Sequence, residues 1–191
     1  MLENLPSALG RVLTAVRPGT EKLAINDPEV VVAETPALDV TSPAFTDGGM
    51  IPKCYTADGE KISPPLSWSG IPDRTAALML LIEDADSPTP QPLVHAIVYD
   101  LEPGARSLEE GALSAPPTDG AHAMGRNSYF RARYLPPDPP PGHGPHRYAF
   151  QIFAADHHPS FARAPGRGDL IDVLRRHVVA AGCLIGIYQR T

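Results

Sequence analysis

Two short apolar runs, residues 78–82 and 94–99, flank an acidic loop carrying Pro88, Pro90 and Pro92. Each run is too short for a typical helix and rich in aliphatic or β-branched residues, so both read as interior strands. The prolines exclude a helix between them and stiffen the connection. Residues 148–154 predict another buried strand, 184–188 a short closing one, and 38–45 a moderate strand ended by the turn signal Asp47-Gly48-Gly49. Helical periodicity is confined to two places. Residues 3–17 put Leu5, Leu9, Val12, Leu13 and Val16 on one face, opposite Arg11 and Arg17. Residues 170–181 carry Leu170, Ile171, Leu174, Val178 and Val179 between an N-cap at Asp169 and a terminating Gly182.

The intervening segments are weakly patterned. Residues 18–37 read as an extended lead-in with one weak strand at 30–32. Residues 51–72 are almost all loop, with Trp68 as a core anchor. Residues 101–128 form a long polar surface excursion of the kind that is functional or mobile. Many strands, few helices and long connections predict a mainly β protein with peripheral helices. The expected organisation is an N-terminal extension with a short amphipathic helix over 1–37, followed by one domain over 38–191.

Composition narrows the function classes. At 191 residues the chain can bury one full core. The net charge of −6 and the lack of a dense Lys/Arg block exclude a nucleic-acid surface. The apolar runs are too short for stable membrane insertion, and residues 1–13 lack a signal-peptide core, which predicts a cytoplasmic protein. Two cysteines without a CxxC pair, Cys54 and Cys183, indicate neither a disulfide scaffold nor a cysteine zinc site. Proline is the anomaly: 23 residues. That is over twice the usual share of about 5%, without the loss of apolar content that disorder requires, so it indicates ordered loops.

The candidate chemistry lies at the strand ends. Asp84, Asp86 and His95 meet a rigid loop at the edge of an apolar core. Such groups are costly to bury without partners and so point to a pocket. The competing reading makes the two aspartates turn caps and His95 a satisfied core histidine.

A second segment, Gly142-His143-Gly144-Pro145-His146-Arg147-Tyr148, bears on the choice. Together, Asp84-Ala85-Asp86-Ser87-Pro88 and Gly144-Pro145-His146-Arg147 resemble the acidic loop and the G-x-H-R segment of the phosphatidylethanolamine-binding protein family, also called Raf kinase inhibitor-like. His95, Tyr134 and the Pro139-Pro140 loop match in type and order. The resemblance spans about residues 38–190. It implies a β-sandwich with peripheral helices and a pocket for phosphate or a phospholipid head group, formed by Asp84, Pro88, His95, Tyr134, Pro140, His146 and Tyr148. Asp86 and Gly144 complete the motif set, and no cofactor is implied.

On this reading His95, His146 and Tyr134 supply hydrogen-bond donors to the anion, while Asp84 is protonated or orients a histidine. Two departures stand out. Ala85 replaces the loop proline, which loosens a turn without removing a ligand. Asp138 stands where better-known members carry a small residue; facing the pocket, it would repel a dianion and favour a cationic or zwitterionic ligand. Arg147, beside His146 on a strand, points to the opposite face, towards an acidic loop residue. His143, His157, His158 and Asp156 fall outside the motif, and no metal-ligand spacing supports a site among them.

Three functions stay open at this stage. The first is a binding protein with an anion pocket and, by family analogy, a kinase or protease partner. The second is a small hydrolase using Asp84 with His146 or His95 as acid and base, although no G-x-S-x-G elbow is present. The third is a homodimeric scaffold with a vestigial pocket, assembled through residues 1–37, where the leucines of the first helix need a surface to cover them.

Overall fold

The computed structural model describes residues 16–115 and 122–190. Of the helix expected over 3–17, residues 3–15 lie outside the described residues, and Val16 and Arg17 are not helical. Strand β4 (Ala77–Asp84) is the centre of the fold. All eight of its residues are buried, which fits the near-continuous apolar run.

It pairs antiparallel with β5 (Leu93–Leu101) on one side and β8 (His146–Ala155) on the other. β8 pairs in turn with β9 (Val178–Tyr188). Short β2 (Gly49–Met50) and β7 (Ala123–Met124) close the edges of this six-stranded sheet. A second sheet holds β1 (Asp39–Thr41), β3 (Leu66–Ser69) and β6 (Ser107–Leu108). The protein is mainly β, with two sheets and peripheral helical turns, as the patterning predicts.

The period of two along β4 distributes the core. Leu78, Leu80 and Ile82 join Phe150, Ile152, Val40, Leu66 and Trp68 between the sheets. Met79 and Leu81 face the other way, packing with Phe153, Leu170, Ile171 and Leu174 of helix α1 (Arg167–His177). Each fully buried side chain of this kind contributes roughly 1.5–3 kcal/mol of transfer free energy.

Four expectations are corrected. Helix α1 starts at Arg167 with Gly166 as N-cap; Asp169 is the N3 residue, whose carboxylate accepts from Gly166 N at 2.8 Å. The helix ends at His177, and the β-branched pair Val178-Val179 opens β9 instead. Gly182 is therefore a strand residue, required because a Cβ there would strike the Leu38 carbonyl oxygen. Residues 30–32 leave a turn through a bend and form no strand.

The segments read as structureless, 51–72 and 101–128, contain β3, β6 and β7. The lead-in packs on the sheet through 3₁₀ turns at Thr20–Lys22 and Ala24–Asn26. Leu23 and Ala24 are buried there, and Ala24 N donates to Glu83 Oε2 at 3.0 Å. Among the described residues no helix is long and apolar enough to cross a membrane.

Candidate functional site

Register sets the site. Asp84, the last residue of β4, stands opposite Tyr148 on β8 and Leu93 on β5. His146 and Tyr148 lie two residues apart on β8 and share a face, while Arg147 points away. His95, on β5, faces the same end of the sheet. Pro88 from the β4–β5 loop and Pro136 and Pro140 from the loop before β8 wall a small pocket of about 30 Å³ over Asp84, His95 and His146.

The structure brings Asp84, Pro88, His95, Pro140 and His146 together at this pocket. The Tyr148 ring packs on two of these residues, edge-on to His95 at 5.1 Å and near-parallel to His146 at 6.3 Å. Two buried polar atoms here, His95 Nε2 and Tyr148 Oη, have no hydrogen-bond partner among the described residues. Native interiors rarely leave such atoms unsatisfied unless something else fills them.

The other predicted residues lie elsewhere. Tyr134 is buried, and its hydroxyl donates to the Tyr55 carbonyl at 3.2 Å rather than into the pocket. Asp86 turns to the far side of the strand, where Arg147 binds it in a fork at 2.7 Å through Nε and Nη2 and Arg17 adds a contact at 3.1 Å. Burial alone would raise this carboxyl; the guanidinium bonds outweigh it and hold the group down to about 2. Gly144 serves the backbone turn, with φ of 92° and Arg17 packed against it.

His146 has no nitrogen left for a ligand. Its Nδ1 donates to Asp84 Oδ2 at 2.7 Å, and its Nε2 lies 2.7 Å from His143 Nδ1. With His146 Nδ1–H given to the carboxylate, its Nε2 accepts the proton of His143. The result is a buried chain, Asp84–His146–His143. His95 is different: Nδ1 lies 2.6 Å from the Leu135 carbonyl, which can only accept, so Nδ1 carries the proton and Nε2 holds a lone pair. Desolvation keeps this ring neutral by pushing its pKa down, against the pull of Asp84. Neither imidazole hydrogen-bonds to a hydroxyl or thiol.

The chain as a whole is similar to known proteins. The family model described as Phosphatidylethanolamine-binding protein matches residues 41–189. The chain belongs to the phosphatidylethanolamine-binding protein family. A UPF0098 protein of Methanothermobacter thermautotrophicus is 34% identical over 80% of this chain and 99% of its own. The crystal structure of a putative phosphatidylethanolamine-binding protein homolog from Chlamydia trachomatis is 34% identical, covers 81% of this chain and 99% of its own, and superposes with a TM-score of 0.73. A carboxypeptidase Y inhibitor complexed with its cognate proteinase shares the fold at 15% identity and a TM-score of 0.51, over 82% and 84% of the two chains.

Within the phosphatidylethanolamine-binding protein frame, two features escaped the sequence reading. His143, set outside the motif, completes the buried chain; its signal was the spacing of three to His146 across a turn opened by Gly142 and Gly144. Arg190 is the second. It binds Asp58 through Nε and Nη2 at 2.7 Å, Asp138 through Nη1 at 2.6 Å and the Pro139 carbonyl at 2.9 Å. Asp138 does line the pocket, but this guanidinium offsets its charge. A position so near the chain end, in no motif, gave no sequence signal.

Proposed function

We propose that the protein is a binding protein whose pocket at His95 takes a small oxyanion, phosphate or the phosphate of a head group, in its singly protonated form. The observation that carries this is the pair of unsatisfied buried atoms, His95 Nε2 on a pocket-lining residue and Tyr148 Oη on the ring packed against His95 and His146. A neutral His95 presents a lone pair, so it accepts a hydrogen bond from the ligand's O–H, while the Tyr148 hydroxyl donates to a ligand oxygen. A fully ionised phosphate meets that lone pair and the Asp84 carboxylate together, and both repel it. The narrow pocket fits the tip of a ligand rather than its body.

The test is an NMR titration of the His95 ring with inorganic phosphate and phosphoethanolamine between pH 5.5 and 8. Phosphomonoesters lose their second proton near pH 6 or so, and affinity is expected to fall as pH rises beyond it. His95→Gln is expected to abolish binding. Affinity that climbs with pH, or a His95 ring that millimolar ligand leaves unmoved, would remove the proposal. A hydrolase reading finds less support, because both nitrogens of His146 are engaged and His95 touches no nucleophile. Turnover of ester substrates that vanished in His95→Gln would restore it. A kinase or protease partner rests on family and fold analogy, and no residue of the pocket identifies one.

A further inference from the structure

Beside the small pocket lies a chamber of about 410 Å³ that shares Tyr129, Leu135, Pro136 and Asp138 with it. Its volume falls in the range of sites that hold whole small molecules. Three cations line it: Lys61, Arg131 and Arg133. None of the three makes an ion pair with a described residue. The one carboxylate on its wall, Asp138, is paired with Arg190 at 2.6 Å. A chain with a net charge of −6 thus gathers three positive charges around one concavity.

The frame beneath those charges is fixed. Asn127, 4% exposed, spends its side chain on the loop that carries both arginines. Its Oδ1 accepts from Arg131 N at 3.1 Å and Tyr129 N at 2.9 Å, and its Nδ2 donates to the Arg133 carbonyl at 2.9 Å. One buried amide therefore sets the spacing of the two guanidinium-bearing residues. Lys61 and Phe130, two of the three described non-glycine residues with positive φ, stand at this chamber or on its loop, at 66° and 60°. Such strain persists where the surroundings hold it, as at ligand clamps.

We propose that this chamber is a second binding site, for a small polyanion of the pyrophosphate or tricarboxylate class. The reasons are physical. Three cations at one concave wall, none ion-paired among the described residues, raise the local concentration of a compact anion. Arginine forks match phosphate and carboxylate oxygens in pairs. Because loop Asn127–Arg133 is already fixed by Asn127, binding orders little that is not already ordered. The proposal stands apart from the phosphate pocket: it uses none of its unsatisfied atoms.

The test is calorimetric titration of the full chain with pyrophosphate, and separately with citrate, on the wild type, Arg131→Gln/Arg133→Gln and His95→Gln. The expected result is one saturable site that weakens about tenfold or more in the double variant and with added salt, since two charge-assisted contacts are lost. His95→Gln is expected to leave it unchanged. The arginine side chains are exposed, so the double variant keeps the fold, which its circular dichroism checks. Equal binding by wild type and double variant, or none at millimolar pyrophosphate and citrate, overturns the chamber. Loss in His95→Gln alone places the ion in the small pocket, which overturns this inference and leaves the pocket reading intact. Loss in both variants makes one shared site and overturns an independent chamber.

Discussion

Asp86 and Asp84 are two residues apart in one acidic loop, yet they do different work. Asp84 accepts from His146 inside the pocket, and Asp86 binds Arg147 and Arg17 on the far side. Sequence reading placed Arg147 on the opposite face, because the strand period demands it, but assigned Asp86 to the ligand; a turn after the strand end does not preserve that period. It also took His146 for a free donor, and only the three-dimensional approach of His143 shows that it is not. The Asp86 assignment has a pH consequence. Its folded carboxyl sits at about 2 against an ordinary 3.8, a depressed value, so its stabilisation is present above about pH 4 and is lost as pH falls towards 2. Asp86→Asn is expected to cost about 2 kcal/mol at pH 7 in urea unfolding. The gap to wild type should close on acidification to pH 2; a gap that stays constant with pH would assign the loss to packing instead.

At the scale of elements, the long strands were legible and the short ones were not. β4, β5 and β8 carry their own apolar runs, so pattern alone finds them. β2, β6 and β7 are two residues each and exist only because a neighbour offers ladder partners, which is tertiary information. The end of α1 was misplaced for a related reason: Val178 and Val179 fit the apolar stripe of a helix as well as they fit a strand, and pairing with β8 decides. Glu83 ties these elements together. Buried in β4, its carboxylate accepts from Arg167 of α1 at 2.6 Å, from Gln151 of β8 at 2.8 Å and from Ala24 N of the lead-in. Glu83→Ala strands three donors at one buried locus and should destabilise the protein by about 3–5 kcal/mol. Hydrogen exchange would then show weakened protection in α1 and in residues 20–26 before the central strands; uniform loss across all strands would count against this linkage.

At the scale of the whole molecule, the last described residue, Arg190, offsets the charge of Asp138 on the pocket wall, and the two stand far apart in sequence. Arg190 follows β9 and reaches Asp58 in one loop and Asp138 with the Pro139 carbonyl in another. It joins three segments distant in sequence, and its side chain is 10% exposed. Removing its charge takes away the guanidinium that Asp58 and Asp138 both bind, and Asp138 on the pocket wall loses that share of its compensation. Arg190→Gln is therefore expected to weaken phosphate binding at His95 about tenfold and to lower stability as well. The two effects separate in a double variant. Adding Asp138→Asn removes the offending charge, so Arg190→Gln/Asp138→Asn should regain phosphate affinity while remaining less stable than wild type, because Asp58 and the Pro139 carbonyl still lack the guanidinium's hydrogen bonds. Phosphate titration and urea unfolding on all four proteins close the cycle. If the double variant binds no better than Arg190→Gln, the guanidinium acts by holding the loop rather than by charge, and the pocket depends on β9 for its shape alone.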